Sequence, residues 1–166
     1  MYLGIDLGTS ELKALLLDQG RQRVVASAAQ PLALSRPQPL WSEQQPEQWW
    51  TALDRALQRL RVGTPGEMAA VRGLGLAGQM HGAVLLDGAD AVLRPAILWN
   101  DGRSAAECAA LEASVPDLHA IAGNLAMPGF TAPKLLWVRT HEPALFARTA
   151  KAVSYTHLTL PTNSRV

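Results

Sequence analysis

Apolar residues come in short runs from the first positions of the chain. Tyr2, Leu3 and Ile5 lead to Asp6 and stop at Gly8, and residues 12–17 form a second run closed by Asp18, Gln19 and Gly20. Two such runs around a glycine turn predict an antiparallel hairpin. Residues 24–34 add a third strand, giving a three-strand meander. Pro31, which has no N–H to give to a ladder, places that strand at an edge or at an irregular end.

The period then changes. Pro46 stands where a first helical residue would, and Trp49 or Trp50, Leu53, Leu57 and Leu60 recur at helical spacing. Glu47 in the first turn and Arg55, Arg59 and Arg61 in later turns suit the helix dipole. Residues 71–77, 83–86 and 96–99 predict strands, the second closed by the Asp87-Gly88 turn. Helices are expected at residues 104–113 and 133–140, the last capped by Thr131. This alternation makes the chain an α/β protein. From residue 153 the pattern breaks. The run VSYTHLTLPT does not continue the periodicity of residues 135–146, and read back into codons it resembles the transposon-end adapter of sequencing libraries. Residues 153–166 are therefore expected to be a non-native tail, against the alternative of a short native strand and turn.

Composition narrows the classes. A chain of 166 residues, 48% hydrophobic and 17% charged, is long and apolar enough for a globular core. A net charge of +1 without a run of Lys or Arg offers no counter-ion surface to nucleic acid or an acidic membrane. Cys108 is the single cysteine, which excludes an internal disulfide and suits a reducing cytoplasm, with a buried thiol as its expected place. The start MYLGIDLG has no basic segment before an apolar one, so neither a signal peptide nor a membrane anchor is expected there.

Three clusters carry chemistry. Asp6-Leu7-Gly8-Thr9-Ser10, with Lys13 beyond, sets a carboxylate at a strand end before a tight turn and two hydroxyls. Gly8 would allow positive φ and a close backbone approach, so that turn N–H groups and the Thr9 and Ser10 hydroxyls meet phosphate oxygens. Asp6 would hold Mg²⁺ through water, and Lys13 would add positive charge. The sequence GxxxxGK[ST] is absent, so this is not a Walker loop. The plain alternative is a hairpin whose Asp and Thr only satisfy turn amides. Gly78-Gln79-Met80-His81-Gly82 is a second turn, between two strands, with His81 at its tip as a donor or acceptor for a sugar hydroxyl, or as an ordinary surface histidine. Leu98-Trp99-Asn100-Asp101-Gly102-Arg103 is the third. Its aromatic and polar groups suit a sugar's apolar face and hydroxyls, while Asp101 and Arg103 could equally form a local ion pair, or Asp101 a helix cap. His119, His141 and His157 share no metal-ligand spacing with each other or with Cys108.

GIDLGTS, PLWSEQ, PEQWW, GLAGQMHG, RPAILWNDGR, GNLAMPGFTAPKLLWV and HEPALF together resemble, in order, the amino-terminal region of the FGGY carbohydrate kinases that act on D-xylulose. The resemblance covers residues 1–152 and implies a truncated first kinase domain with the actin-like ATPase (ribonuclease H-like) fold. It implies ATP and Mg²⁺ as cofactors, transfer of the γ-phosphoryl of ATP to the 5-hydroxyl of D-xylulose, a cytoplasmic location, and a homodimer of the full-length protein. By the same resemblance Asp6, Gly8, Thr9, Ser10 and, less directly, Lys13 meet phosphates and metal. Met80 and His81 contact the sugar where glycerol kinases have Arg and Glu. Trp99 packs on the substrate with Asp101 beside it, and Gly129 replaces a glycerol-kinase Tyr and leaves room for a longer sugar. The proton-accepting Asp of the family lies further along and is not matched in this chain. Glu11 departs from the family's small residue, and the turn keeps its function if that carboxylate faces solvent on the far side of the hairpin. Another FGGY kinase, for ribulose, gluconate or a polyol, and a non-enzymatic actin-like nucleotide-binding module are the rival readings.

Overall fold

The computed structural model describes residues 1–154. The adapter-like stretch begins at residue 153, and its part from residue 155 onward lies outside the described residues. In chain order the elements are β1 (Tyr2–Leu7), β2 (Glu11–Asp18), β3 (Arg23–Pro31), β4 (Glu43–Gln44), α1 (Pro46–Gly63), α2 (Pro65–Ala69), β5 (Leu74–Gly78), β6 (Val84–Leu86), β7 (Ala96–Ile97), α3 (Ala105–Ser114), α4 (Leu118–Ala122), α5 (Thr131–His141), α6 (Pro143–Arg148) and β8 (Lys151–Val153). They fall into two compact units. Among the described residues, 1–34 and 46–79 form one, and 35–45 with 80–154 form the other.

The first unit is a four-stranded sheet in the order β3-β2-β1-β5, antiparallel except for the parallel pair β1 and β5. Register decides which side chains share a face. Asp6 lies opposite Lys13 and Ala77, whereas Leu7 lies opposite Leu12 and Ile5 opposite Ala14. Because faces alternate along a strand, Leu12, Ala14 and Leu16 point together to one side, and Asp6, Glu11 and Lys13 to the other. The apolar side is covered by α1. Leu12, Ala14, Leu16 and Ala28 pack there with Ala52, Ala56 and Leu60, and Leu3, Ile5 and Leu7 close around them. The helix begins on Pro46 as its sequence predicts, but its buried stripe runs through the two alanines, with Leu53 and Leu57 at the margin and Trp50 mostly exposed. Small residues let the helix axis approach the sheet.

The second unit has a core of Ala83, Leu85, Ile97, Trp137 and Val138. Two short ladders frame it, β4 against β7 and β6 against β8. Val153 pairs with Val84 there, so the first residue of the expected tail closes a strand. The strands foreseen at residues 71–77 and 96–99 are shorter than their apolar runs, and the third strand stops at Pro31 rather than at residue 34. One residue beyond the last paired position, the Leu32 N–H still donates to the Ser10 carbonyl (2.9 Å). Thr131 is the first residue of α5 and not its cap. The capping position belongs to Phe130, and the Thr131 hydroxyl donates to the His81 carbonyl instead.

Candidate active site

The turn expected to meet phosphates belongs to the first unit. Asp6 is exposed near the end of β1, and the chain turns at once through Gly8 into β2. Gly8 donates its N–H to the Glu11 carbonyl (3.1 Å), and a Cβ placed on it would lie 3.0 Å from that same oxygen. Close approach, and not positive φ, is therefore what favours glycine here. Among the described glycines the left-handed one is Gly123. The Gly8 amide closes the hairpin, and of the two hydroxyl residues that follow it Ser10 is exposed. Thr9 Oγ1 donates to Gln79 Oε1 (3.0 Å), and the Gln79 N–H donates to the Leu7 carbonyl (2.7 Å). Gln79 thus ties the turn to the end of β5, a part that sequence reasoning left without a role.

Glu11 is not on the far side of the hairpin. Strand alternation puts it on the face of Asp6 and Lys13, where its carboxylate pairs with Lys13 Nζ at 3.0 Å. The Lys13 charge expected to serve phosphates is thus shared with Glu11. Both side chains are about half exposed (50% and 45%), so the pair is worth well under ~1 kcal/mol and opens readily for a more highly charged partner. No cluster of three or more His, Cys, Asp or Glu side chains able to hold a metal occurs among the described residues. Asp6 by itself fits Mg²⁺, which is commonly held by one or two carboxylates plus waters and phosphate oxygens.

The residues expected to meet a sugar belong to the second unit. Met80 is exposed, and His81 follows it with φ of 59°, a left-handed conformation rare for a residue with a side chain. The His81 ring packs on Phe130 with centroids 4.8 Å apart. Trp99 is 48% exposed after the end of β7. Asp101, two residues on, is enclosed. Its Oδ1 accepts from the N–H and Nε of Arg103 (2.9 Å each), and its Oδ2 from Arg103 Nη2 (2.7 Å) and the Ser42 N–H (2.6 Å). With four donors on two oxygens, that carboxylate holds the loop from beneath. The ion pair is not the exposed, weak one that the sequence allows, and the residue before α3 is Ser104.

Arg103 is the hub of a buried charge network. Its guanidinium lies 3.7 Å from the Trp41 ring and 5.0 Å from Trp137, and it shares Glu43 Oε1 (2.7 Å) with Arg94 (2.6 Å). Planar guanidinium groups suit such stacking and forked pairing. Burial lowers the Arg94 pKa, against the pull of Glu142 and Glu43. Cys108 is buried as expected, and burial, helped by Glu112 and Glu107, pushes its thiol pKa up, so the thiol is inert. Gly129 has a different reason for being glycine than room for substrate. A Cβ there would lie 2.6 Å from the Trp99 carbonyl oxygen, so the backbone of the Trp99 loop occupies the place of a side chain.

The most telling residue missed from sequence is Lys134. It is fully buried, donating Nζ to the carbonyls of Gly129 (2.6 Å) and His81 (2.8 Å). Burial lowers its pKa to about 8, with Asp101 raising it and Arg103 lowering it. The available signal was a cation at i, i+3 and i+4 spacing with Trp137 and Val138, on the apolar face of a helix.

Residues 1–160 match the model of the FGGY family of carbohydrate kinases, N-terminal domain. The chain belongs to that family. It is 59% identical over 153 residues to the xylulose kinase of Escherichia coli (strain K12), covering 92% of this chain and 31% of that protein. The described fold is similar to the crystal structure of a xyloylose kinase from Brucella ovis, with a TM-score of 0.88 and 54% identity over 92% of this chain and 32% of that one. It is also similar to the xylulose kinase from Rhodospirillum rubrum, with a TM-score of 0.86 and 35% identity over the same shares. The fold is thus the α/β fold of FGGY kinases, and the chain spans about a third of the length of the relatives it matches. No helix among the described residues is long and apolar enough to cross a membrane.

Proposed function

We propose that this chain supplies the phosphate and metal residues and part of the sugar-binding residues of an ATP-dependent kinase acting on the 5-hydroxyl of D-xylulose. The observation that carries the reading is the turn from Asp6 to Ser10. It sets an exposed carboxylate and two hydroxyl residues at one strand end, in a family of carbohydrate kinases. The likeness to relatives named xylulose kinase supports the choice of sugar.

In this reading Asp6 holds Mg²⁺ through water, and Thr9 and Ser10 orient phosphate oxygens, with Gln79 fixing the Thr9 rotamer. Bound magnesium neutralises charge on the phosphates, the main demand of phosphoryl transfer. Lys13 adds positive charge once released from Glu11. Met80 covers an apolar edge of the sugar, the His81 imidazole exchanges a hydrogen bond with a hydroxyl, and the indole of Trp99 covers a carbon face. Asp101 acts by holding Arg103 and the Ser42 amide, which sets where Trp99 stands. No proton acceptor for the sugar hydroxyl is assigned among the described residues. Turnover is expected only when the chain is continued by the remainder of a kinase, and the cytoplasm is the compartment that suits such an enzyme.

Calorimetric titration of the purified chain tests the assignment. Mg²⁺-dependent ADP binding is expected to be lost in Asp6→Ala, and D-xylulose binding to weaken about tenfold in His81→Ala, the worth of one good hydrogen bond. Tighter binding of glycerol or gluconate than of D-xylulose would assign the sugar residues to a different kinase of the family.

A further inference from the structure

The apolar face of α5 contains a charge. Pro133, Lys134, Trp137 and Val138 are all buried, and Lys134 is wholly enclosed. Such a lysine is sustained only if its ammonium finds hydrogen-bond partners. Its ammonium donates to two backbone carbonyls, those of His81 and Gly129. They belong to the two segments that set the sugar loops. His81 is held in the left-handed region, and its carbonyl accepts from Lys134 (2.8 Å) and from the Thr131 hydroxyl (3.3 Å). Gly129 lies against the Trp99 carbonyl so closely that no side chain fits.

We infer that Lys134 is the positioning residue of the sugar loops: its ammonium holds the His81 peptide in its left-handed turn and Gly129 beneath Trp99, so that the imidazole and the indole meet one sugar together. Being fully enclosed, it does not touch the sugar itself. The charged side chains that act on it are Asp101 and Arg103, which also fix the Trp99 loop. The inference rests on the sugar-binding reading given above, but the clamp on His81 is a matter of backbone geometry and is measured separately.

The experiment is NMR on the isotope-labelled 166-residue chain, titrated with D-xylulose. A left-handed residue shows a short amide to α-proton distance within itself, and the wild type is expected to show this signal at His81. Lys134→Met keeps the length of the side chain and removes every donor. It is expected to lose the His81 signal and to weaken D-xylulose binding about tenfold. Thr131→Val, which leaves Lys134 in place, is expected to weaken binding about twofold to threefold. An unchanged His81 signal in Lys134→Met overturns the inference, as does a lost signal with unchanged sugar affinity. If Lys134→Met does not fold, Lys134→Gln, which removes the ammonium and keeps a polar side chain, decides, and an unaltered His81 signal with unaltered affinity overturns the inference. A wild type that ignores D-xylulose, with a His81 geometry that still depends on Lys134, removes the sugar reading and leaves the clamp.

Discussion

Lys134 is costly to bury charged, and its hydrogen bonds only partly offset that cost. Its pKa falls from 10.5 to about 8, with burial as the first cause. A lysine with a depressed folded pKa has a definite sign. Below about pH 8 both folded and unfolded chains carry the proton, and the contribution is constant. Between about 8 and 10.5 the unfolded chain binds a proton that the folded one does not, so stability rises with pH. Urea unfolding of the wild type and Lys134→Met at pH 7 and pH 9.5 checks this. The wild type is expected to gain stability relative to the variant across that interval, and parallel pH dependences would show that Lys134 titrates normally. Glu11 and Lys13 are the opposite case at this scale, since an exposed pair of that kind contributes little to folding.

Among elements, α1 shows most clearly how packing departs from a hydrophobicity pattern. Leucine spacing points to Leu53, Leu57 and Leu60, yet the residues pressed against β2 and β3 are Ala52, Ala56 and Leu60. Ala56→Leu is therefore expected to destabilise the chain by about 1–3 kcal/mol, the usual cost of overpacking. Denaturant unfolding measures it, and an unchanged midpoint would mean that the helix stands further from the sheet than described. What was legible in the sequence was local. The β1–β2–β3 meander follows from apolar runs and turn residues, and the start of α1 from Pro46. The two-residue ladder of β4 and β7 was not legible, because its backbone bonds join Glu43 to Ile97 and leave no period. The candidate site divides in the same way. The turn from Asp6 to Ser10 is written in consecutive residues, of which Asp6 and Ser10 are exposed. The enclosure of Asp101, the place of Glu11 on the Asp6 face and the reach of Lys134 to His81 depend on strand register and on contacts across tens of residues. No run of neighbours encodes those.

On the scale of the molecule, the residues proposed to meet phosphates lie in the first unit and those proposed to meet the sugar in the second. The chain corresponds to 31% of the Escherichia coli xylulose kinase, at 59% identity, close enough for residues 1–152 to replace the matching part of that protein. The most direct test is a coupled assay of ADP formation by that chimera. It is expected to phosphorylate D-xylulose in preference to gluconate, ribulose or glycerol, and Asp6→Ala is expected to lower the rate by roughly 100-fold or more, as removal of a key electrostatic group does. A folded chimera with no D-xylulose-dependent ADP formation, or one that Asp6→Ala leaves as active as before, would contradict the reading of Asp6 to Ser10 as its phosphate and metal turn.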